Sequence, residues 1–250
     1  MSSFYRLYKN ELWRNIATIR HYPFALIINI VQILAVSALV VWLLVNLGYS
    51  VSSVGTVLWP LIMLGLSSPS SSLSSDIEIG TFEQIYTSGQ PILKLLVTRV
   101  LAEVTVTIPG NLLVLLVIIW LFPGQLNLLP LFIVTAIAGG AAFGLGLIFA
   151  GLTLRYRSIG GLINLLMFVA MIVSVVDLTA VNKITAFVIG GIIPLVGPIV
   201  LLQLNVLGES IHIIHWLVAI FNLIFYCFIG IVLFKTFYVK ARLKGMLGRY

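Results

Sequence analysis

DIEIGTFEQIYTSGQP, residues 76–91, is a short polar interruption between two long apolar segments. It carries three carboxylates, Asp76, Glu78 and Glu83, and the start and stop signals of a short helix. Thr81 is placed to cap the N-terminus, with Gln84 three residues on to complete a capping box. Gly89 ends the helix and Pro91 prevents its continuation. Phe82, Ile85 and Tyr86 share one face, whereas Glu83, Gln84 and Thr87 point elsewhere. The stretch therefore reads as a formed amphipathic helix in a tight loop, a shape suited to a partner.

Outward from it, the composition sets the class. Of 250 residues, 61% are hydrophobic and only 8% charged. Runs of about 20 apolar residues recur, each long enough to cross a hydrocarbon core of roughly 30 Å. The expected fold class is an all-α integral membrane protein, one domain over residues 1–250. A β-barrel is excluded, because its strands alternate apolar and polar residues over short segments. Cys227, the single cysteine, lies inside the last apolar run and reads as a small packed hydrophobe. A cleavable signal peptide is not expected, because the polar leader of 23 residues is followed by a full span.

Six spans are expected, near 24–47, 54–74, 95–121, 128–154, 159–176 and 211–234. A further apolar stretch, 184–204, is long enough to cross, but Gly190, Gly191, Pro194, Gly197 and Pro198 disfavour a continuous helix. Charge decides the parity. With six spans, Arg6, Lys9, Arg14, Arg20, Lys94, Arg99, Arg155, Arg157 and the five basic residues of the tail share one side. That is 13 of the 14 Lys and Arg, with only Lys183 opposite. The positive-inside rule makes this side cytoplasmic, with both termini there and the chain multi-pass in the cell inner or plasma membrane. A seventh crossing would put the tail outside, so 184–204 is expected to be a broken re-entrant element dipping in from the outer face. The net charge of +7 is then explained by topology and anionic lipid head groups, and no nucleic acid is expected. The leader, residues 1–23, reads as a basic amphipathic helix. Phe4, Tyr8, Leu12, Ile16 and Ile19 form one stripe, Trp13 and Arg14 suit an interface, and Pro23 turns the chain into the first span.

Catalytic motifs are missing. There is no G-x-x-x-x-G-K-[ST], no H-E-x-x-H, no G-x-S-x-G and no cysteine cluster. Glu209, His212 and His215 form the nearest thing to a metal constellation, but further ligands are not evident, and beside Trp216 they suit a membrane interface. No enzyme activity, cofactor or metal is expected in this chain. Arg99 and Glu103, one turn apart in the third span, can form an intramembrane ion pair. The seven serines of SSPSSSLSS, residues 67–75, give a small polar helix surface that either lines an entrance or packs closely. Gly140 and Gly144 make a G-x-x-x-G that permits close helix contact.

Together these features resemble the ABC-2 permease family, the membrane subunits of type-2 ABC exporters. FYRLYKNELWRN resembles the family's connecting helix, DIEIGTFEQIYTSGQPILKLLVTRVLAE its first cytoplasmic loop, IGGIIPLVGPIVLL its re-entrant outer element, and FKTFYVKARLKGMLGRY its basic tail. The resemblance implies a homodimer of this chain with two P-loop ATPase subunits beneath it, ATP and Mg being held by those partners. It implies ATPase-coupling contacts at Asp76, Glu78, Gly80, Thr81, Phe82, Glu83, Gln84 and Tyr86, with the connecting helix contributing Tyr8, Leu12, Trp13 and Arg14. Gly190, Gly191, Pro194, Gly197 and Pro198 would shape an outer gate. The substrate class is an amphipathic or hydrophobic molecule: a drug, antibiotic, lipid or glycolipid polymer. The alternatives are an ATP-independent channel or secondary carrier, for which an inverted repeat is expected, and a non-transporting assembly subunit.

Overall fold

The computed structural model describes residues 3–46, 54–87, 89, 91–121, 128–156, 159–175, 193, 195–206 and 211–243. Among these every regular element is a helix. They are α1 (Ser3–His21), α2 (Pro23–Asn46), α3 (Val54–Ile79), α4 (Phe82–Thr87), α5 (Ile92–Leu121), α6 (Leu128–Tyr156), α7 (Gly160–Val175), α8 (Val196–Val206) and α9 (Ile213–Leu243). Pro23 opens α2 as its first residue, where a missing N–H costs nothing. Gly190, Gly191, Pro194, Lys183 and Glu209 lie outside the described residues, as do the side chains of Glu83 and Tyr86.

Helix α6 is the centre of the bundle, with α3 on one side and α9 on another. Its small residues explain this. Ala138, Ala141, Ala142 and Ala150 are fully buried. A Cβ added at Gly146 would strike the Gly65 carbonyl oxygen of α3, and one at Gly144 would lie 2.5 Å from the Tyr226 carbonyl of α9. The backbones touch there, which is how helices gain dispersion energy when lipid competes equally for apolar surface. Cys227 does more than fill space, since its thiol donates to the Gly140 carbonyl across the same seam at 3.2 Å.

Among the described residues two helices, over Leu129–Tyr156 and Ile213–Leu243, are long and apolar enough to cross a membrane. At 1.5 Å per residue the first spans ~42 Å, beyond a hydrocarbon core of roughly 30 Å. Large apolar side chains stand exposed along α9, among them Leu217, Phe221, Ile224 and Phe228. Exposed apolar area of that extent suits contact with lipid or another chain better than contact with water.

Three expectations are corrected. The helix that holds the serine cluster runs on past Ser74 to Ile79, so Asp76 and Glu78 belong to its last turn and not to the loop. Second, Thr81 serves α3 as well as α4. The Thr81 N–H donates to the Asp76 carbonyl and the Gly80 N–H to the Ile77 carbonyl, with Gly80 at φ 78°. This is a Schellman stop, in which glycine takes the left-handed position. The Thr81 hydroxyl lies 3.4 Å from both the Asp76 carbonyl and its Oδ1, turned back towards α3. Thr81 still opens α4 by position, because its carbonyl accepts the Ile85 N–H. Third, Gly197 and Pro198 lie just after the break expected in this stretch, which falls at Leu195, and not inside it. They occupy the first turn of α8, where backbone N–H groups have no intrahelical partner to lose.

Helix α8 has 11 residues, or ~16 Å, and is too short to cross a bilayer core. It is nonetheless deeply packed, with Leu201 and Leu202 fully buried. Its entry is held by Asn222 of α9, itself fully buried. The Asn222 Oδ1 accepts the Leu195 N–H and its Nδ2 donates to the Ile193 carbonyl, each at 3.2 Å. Leu195 has φ 74°, a left-handed conformation that costs a leucine about 1–2 kcal/mol. Asn222→Leu strands the buried Leu195 N–H and frees the part-buried Ile193 carbonyl, and is expected to destabilise the fold by about 1–3 kcal/mol. Adding Leu195→Gly is expected to recover about 1 kcal/mol of this by removing the strain. Thermal unfolding of both variants in detergent checks it; no loss with Asn222→Leu alone would remove the clamp.

Candidate functional site

The end of the bundle where α1, the last turn of α3 and the first turns of α5 meet holds a buried charge cluster. Arg99 of α5 is its hub, only 6% exposed. Its guanidinium forms an ion pair with the Asp76 carboxylate through Nη1, with Nη2 donating to Asp76 Oδ1 at 3.3 Å. Nε donates to Glu11 Oε1 of α1, also at 3.3 Å. Arg14 lies 2.7 Å from the other Glu11 oxygen, one helical turn away. Arg99 and the two carboxylates are largely buried, and Arg14, 54% exposed, supplies the second positive charge from the rim, so that the cluster balances. Asp76 sits at a helix C-terminus, where the macrodipole disfavours a carboxylate by a few tenths to 1 kcal/mol. A direct bidentate contact with arginine outweighs that.

The expected Arg99–Glu103 ion pair is not formed. Arg99 turns towards Asp76 and Glu11, and Glu103 instead accepts a short hydrogen bond from the Ser68 hydroxyl of α3. Residues four apart on α5 have been drawn to different neighbours, because two carboxylates from other helices already fill the Arg99 fork. The serine-rich face of α3 is a packing surface in part. Ser70 meets the Thr153 hydroxyl of α6 at 2.6 Å, both fully or nearly buried. Ser71, by contrast, is exposed.

Helix α1 lies along α5. Tyr8 reaches Thr105 at 2.9 Å, and the buried or half-buried positions Tyr8, Glu11, Leu12, Ile16 and Ile19 recur at helical spacing. Trp13 is more than half exposed, and Arg14 is exposed beyond its contact with Glu11. Glu11 was not singled out in the sequence reading. The available signal was that it is the one carboxylate on α1 and shares a face with Tyr8 and Leu12.

At the turn itself, Phe82 is 2% exposed and packs with Leu73, Ile77, Ile92 and Leu96. It anchors α4 to the bundle, so Phe82 and Asp76 serve the interior. What remains outward is Glu78, whose carboxylate accepts from Ser74 at 3.2 Å, then Ile79, Gly80 and Gln84. Ile79 is 71% exposed, a large apolar side chain at the tip of a polar turn. Pro91 caps α5 by accepting the Lys94 and Leu95 N–H groups.

A second feature is a cavity of about 590 Å³ between α5 and α6, floored by Leu61 and Gly65 of α3. At the far end of α9 the His212 and His215 rings stack with centroids 6.1 Å apart. Among the described residues no three His, Cys, Asp or Glu side chains are placed to hold a metal. No family model, curated protein or solved structure matches this chain.

Proposed function

We propose that this chain is the membrane-spanning permease subunit of an ATP-binding cassette exporter of the ABC-2 type. The observation that carries the reading is the Arg99 cluster. It ties α1, the α3 terminus that leads into α4, and α5 into one charge-balanced body. The two elements that the resemblance assigns to ATPase contact, α1 and the 76–91 turn, are thereby joined through one residue. A push on the turn is passed to α3 and α5 without slack, because α4 is pinned by Phe82 and closed between Gly80 and Pro91.

In this reading the chain crosses the cell membrane six times with both termini in the cytoplasm. Helices α2, α3 and α5, of 24, 26 and 30 residues, have the required length. Helix α8 is the inner limb of a re-entrant outer element. Two copies pair, and two P-loop ATPase subunits dock beneath, holding ATP and Mg. Closure of those subunits tilts α3 and α5 and alternates access for an amphipathic or hydrophobic substrate.

The docking surface is Glu78, Ile79, Gly80 and Gln84, with Trp13 and the exposed basic residues of α1. Ile79 is its apolar anchor. Affinity purification of the chain from its native membrane is expected to bring with it a P-loop ATPase subunit in a complex that survives purification. Ile79→Glu is expected to weaken that complex by about tenfold or more, the cost of putting a charge into a desolvated contact. If no ATPase accompanies the native chain, the exporter reading fails; if Ile79→Glu binds as the native chain does, the docking face lies elsewhere.

A further inference from the structure

Arg14 is the loosest member of the buried charge cluster. Arg99 is held from two sides, by Asp76 and Glu11, and its side chain is 7% exposed. The Arg14 guanidinium pairs with Glu11 alone among the described residues. That contact is close but poorly aimed. Glu11 Oε2 lies 2.7 Å from the Arg14 Nη2, yet it is buried and accepts no hydrogen bond. An ion pair without a directed hydrogen bond forgoes the part of its energy that depends on geometry. An exposed arginine so held leaves its position at small cost.

One turn beyond Arg99 on α5 stands a carboxylate with the opposite need. Glu103 is half-buried and has no cation in contact among the described residues. The hydrogen bond from Ser68 is the one its carboxylate accepts there. A carboxylate in an expected membrane span is costly without a counter-ion. Arg99 is committed elsewhere, and Arg14 is the cation whose charge acts on the Glu103 carboxylate. The geometry favours their approach. Tyr8 meets Thr105 and Glu11 meets Arg99, so α1 and α5 run antiparallel. Side chains lean towards the N-terminus of their own helix. In an antiparallel pair Arg14 therefore leans from below the Glu11 level towards Glu103, and Glu103 leans back towards it.

We propose that Arg14 is an exchangeable counter-ion that moves between Glu11 and Glu103. In the first position it pairs with Glu11, which Arg99 also holds. In the second it pairs with Glu103, and Glu11 keeps Arg99. Neither position leaves Glu11 bare, which avoids the largest penalty of breaking a buried pair. Helix α1 thereby has a point of give against α5, while Arg99 still ties it to α3. The inference rests on the packing of α1 on α5 and not on the exporter reading. Arg14 is among the exposed basic residues of the docking surface proposed above, so a partner that touches it biases the exchange.

Double-mutant cycles on unfolding in mixed micelles test it. The cycle of Arg14→Gln with Glu103→Gln is measured once in the native chain and once in a chain that also carries Glu11→Gln. In the native chain the two changes are expected to couple by about threefold in the unfolding equilibrium constant, because Arg14 spends part of its time at Glu103. Removing the Glu11 charge sends Arg14 to Glu103, and the coupling is expected to rise to about tenfold. Glu11→Gln leaves Arg99 paired with Asp76, so the fold is expected to survive it; Glu11→Met replaces it if it does not. A native coupling below about twofold, the scatter of independent sites, overturns the proposal. Coupling that stays the same once Glu11 is neutralised also overturns it, since Arg14 then acts from one fixed place. Failure of an ATPase to accompany the native chain, with the rise in coupling intact, sinks the exporter reading alone.

Discussion

Arg99→Met is expected to lower the unfolding free energy by about 3–5 kcal/mol, because it leaves the Asp76 carboxylate buried without its counter-ion. Glu11 keeps Arg14 at 2.7 Å, so most of the loss falls on Asp76. The value of the pair itself is smaller. Desolvating two ions offsets most of their attraction, and apolar residues of like volume often do as well. The combined variant Glu11→Leu, Asp76→Leu and Arg99→Met is therefore expected to recover most or all of the stability. Denaturation in mixed micelles measures both. A loss below about 1 kcal/mol for Arg99→Met would mean that the cluster is solvated and behaves as a surface ion pair. The combined variant also separates packing from coupling. If the cluster transmits motion through its directional contacts, the variant folds but no longer stimulates the ATPase subunit proposed above as its partner.

Gly230→Val is expected to give the second large effect, at or above the top of the ~1–3 kcal/mol range for overpacking. A Cβ at Gly230 runs into the Gly144 carbonyl oxygen and lies 3.1 Å from the Gly144 Cα. The obstacle is backbone, which cannot rotate away as a side chain can. Helices α6 and α9 must separate, and their shared contacts are lost together. Gly161→Ala is the matched control. On α7 its added Cβ meets nothing within 4 Å, and replacing a helical glycine there is expected to be neutral or to stabilise by up to ~1 kcal/mol. Similar melting temperatures for the two variants would show that the α6–α9 seam is not closely packed.

These two sites differ in how visible they were in the sequence. Gly140 and Gly144 announce a close contact by their spacing, and α6 does use them against α9. Gly144 meets Gly230, on a helix 86 residues later, and nothing in the local pattern of α9 names it. The short helix after Gly80 was likewise legible, because capping and stopping are local chemistry: Gly80 and Gly89 take positive φ, and Pro91 begins the next helix. Where α3 ends was not. Polar residues from Asp76 onwards look like loop, yet Ile77 packs inward and Arg99 holds Asp76, and these contacts extend the helix to Ile79.

The sequence by itself determined what depends on composition and near neighbours. It marked the apolar helices, the turn at 76–91 and the amphipathic stripe of α1, because each follows from a residue's own preference or from neighbours within a few positions. The tertiary structure alone decided who pairs with whom. It sent Arg99 to Asp76 and Glu11 and left Glu103 to Ser68. It also placed Asn222 against Leu195 and opened the cavity between α5 and α6. An ion pair or a buried amide is chosen by which helix faces it, across 23, 27 or 88 residues of chain. Helical periodicity states which face a side chain occupies, and only packing states what lies opposite.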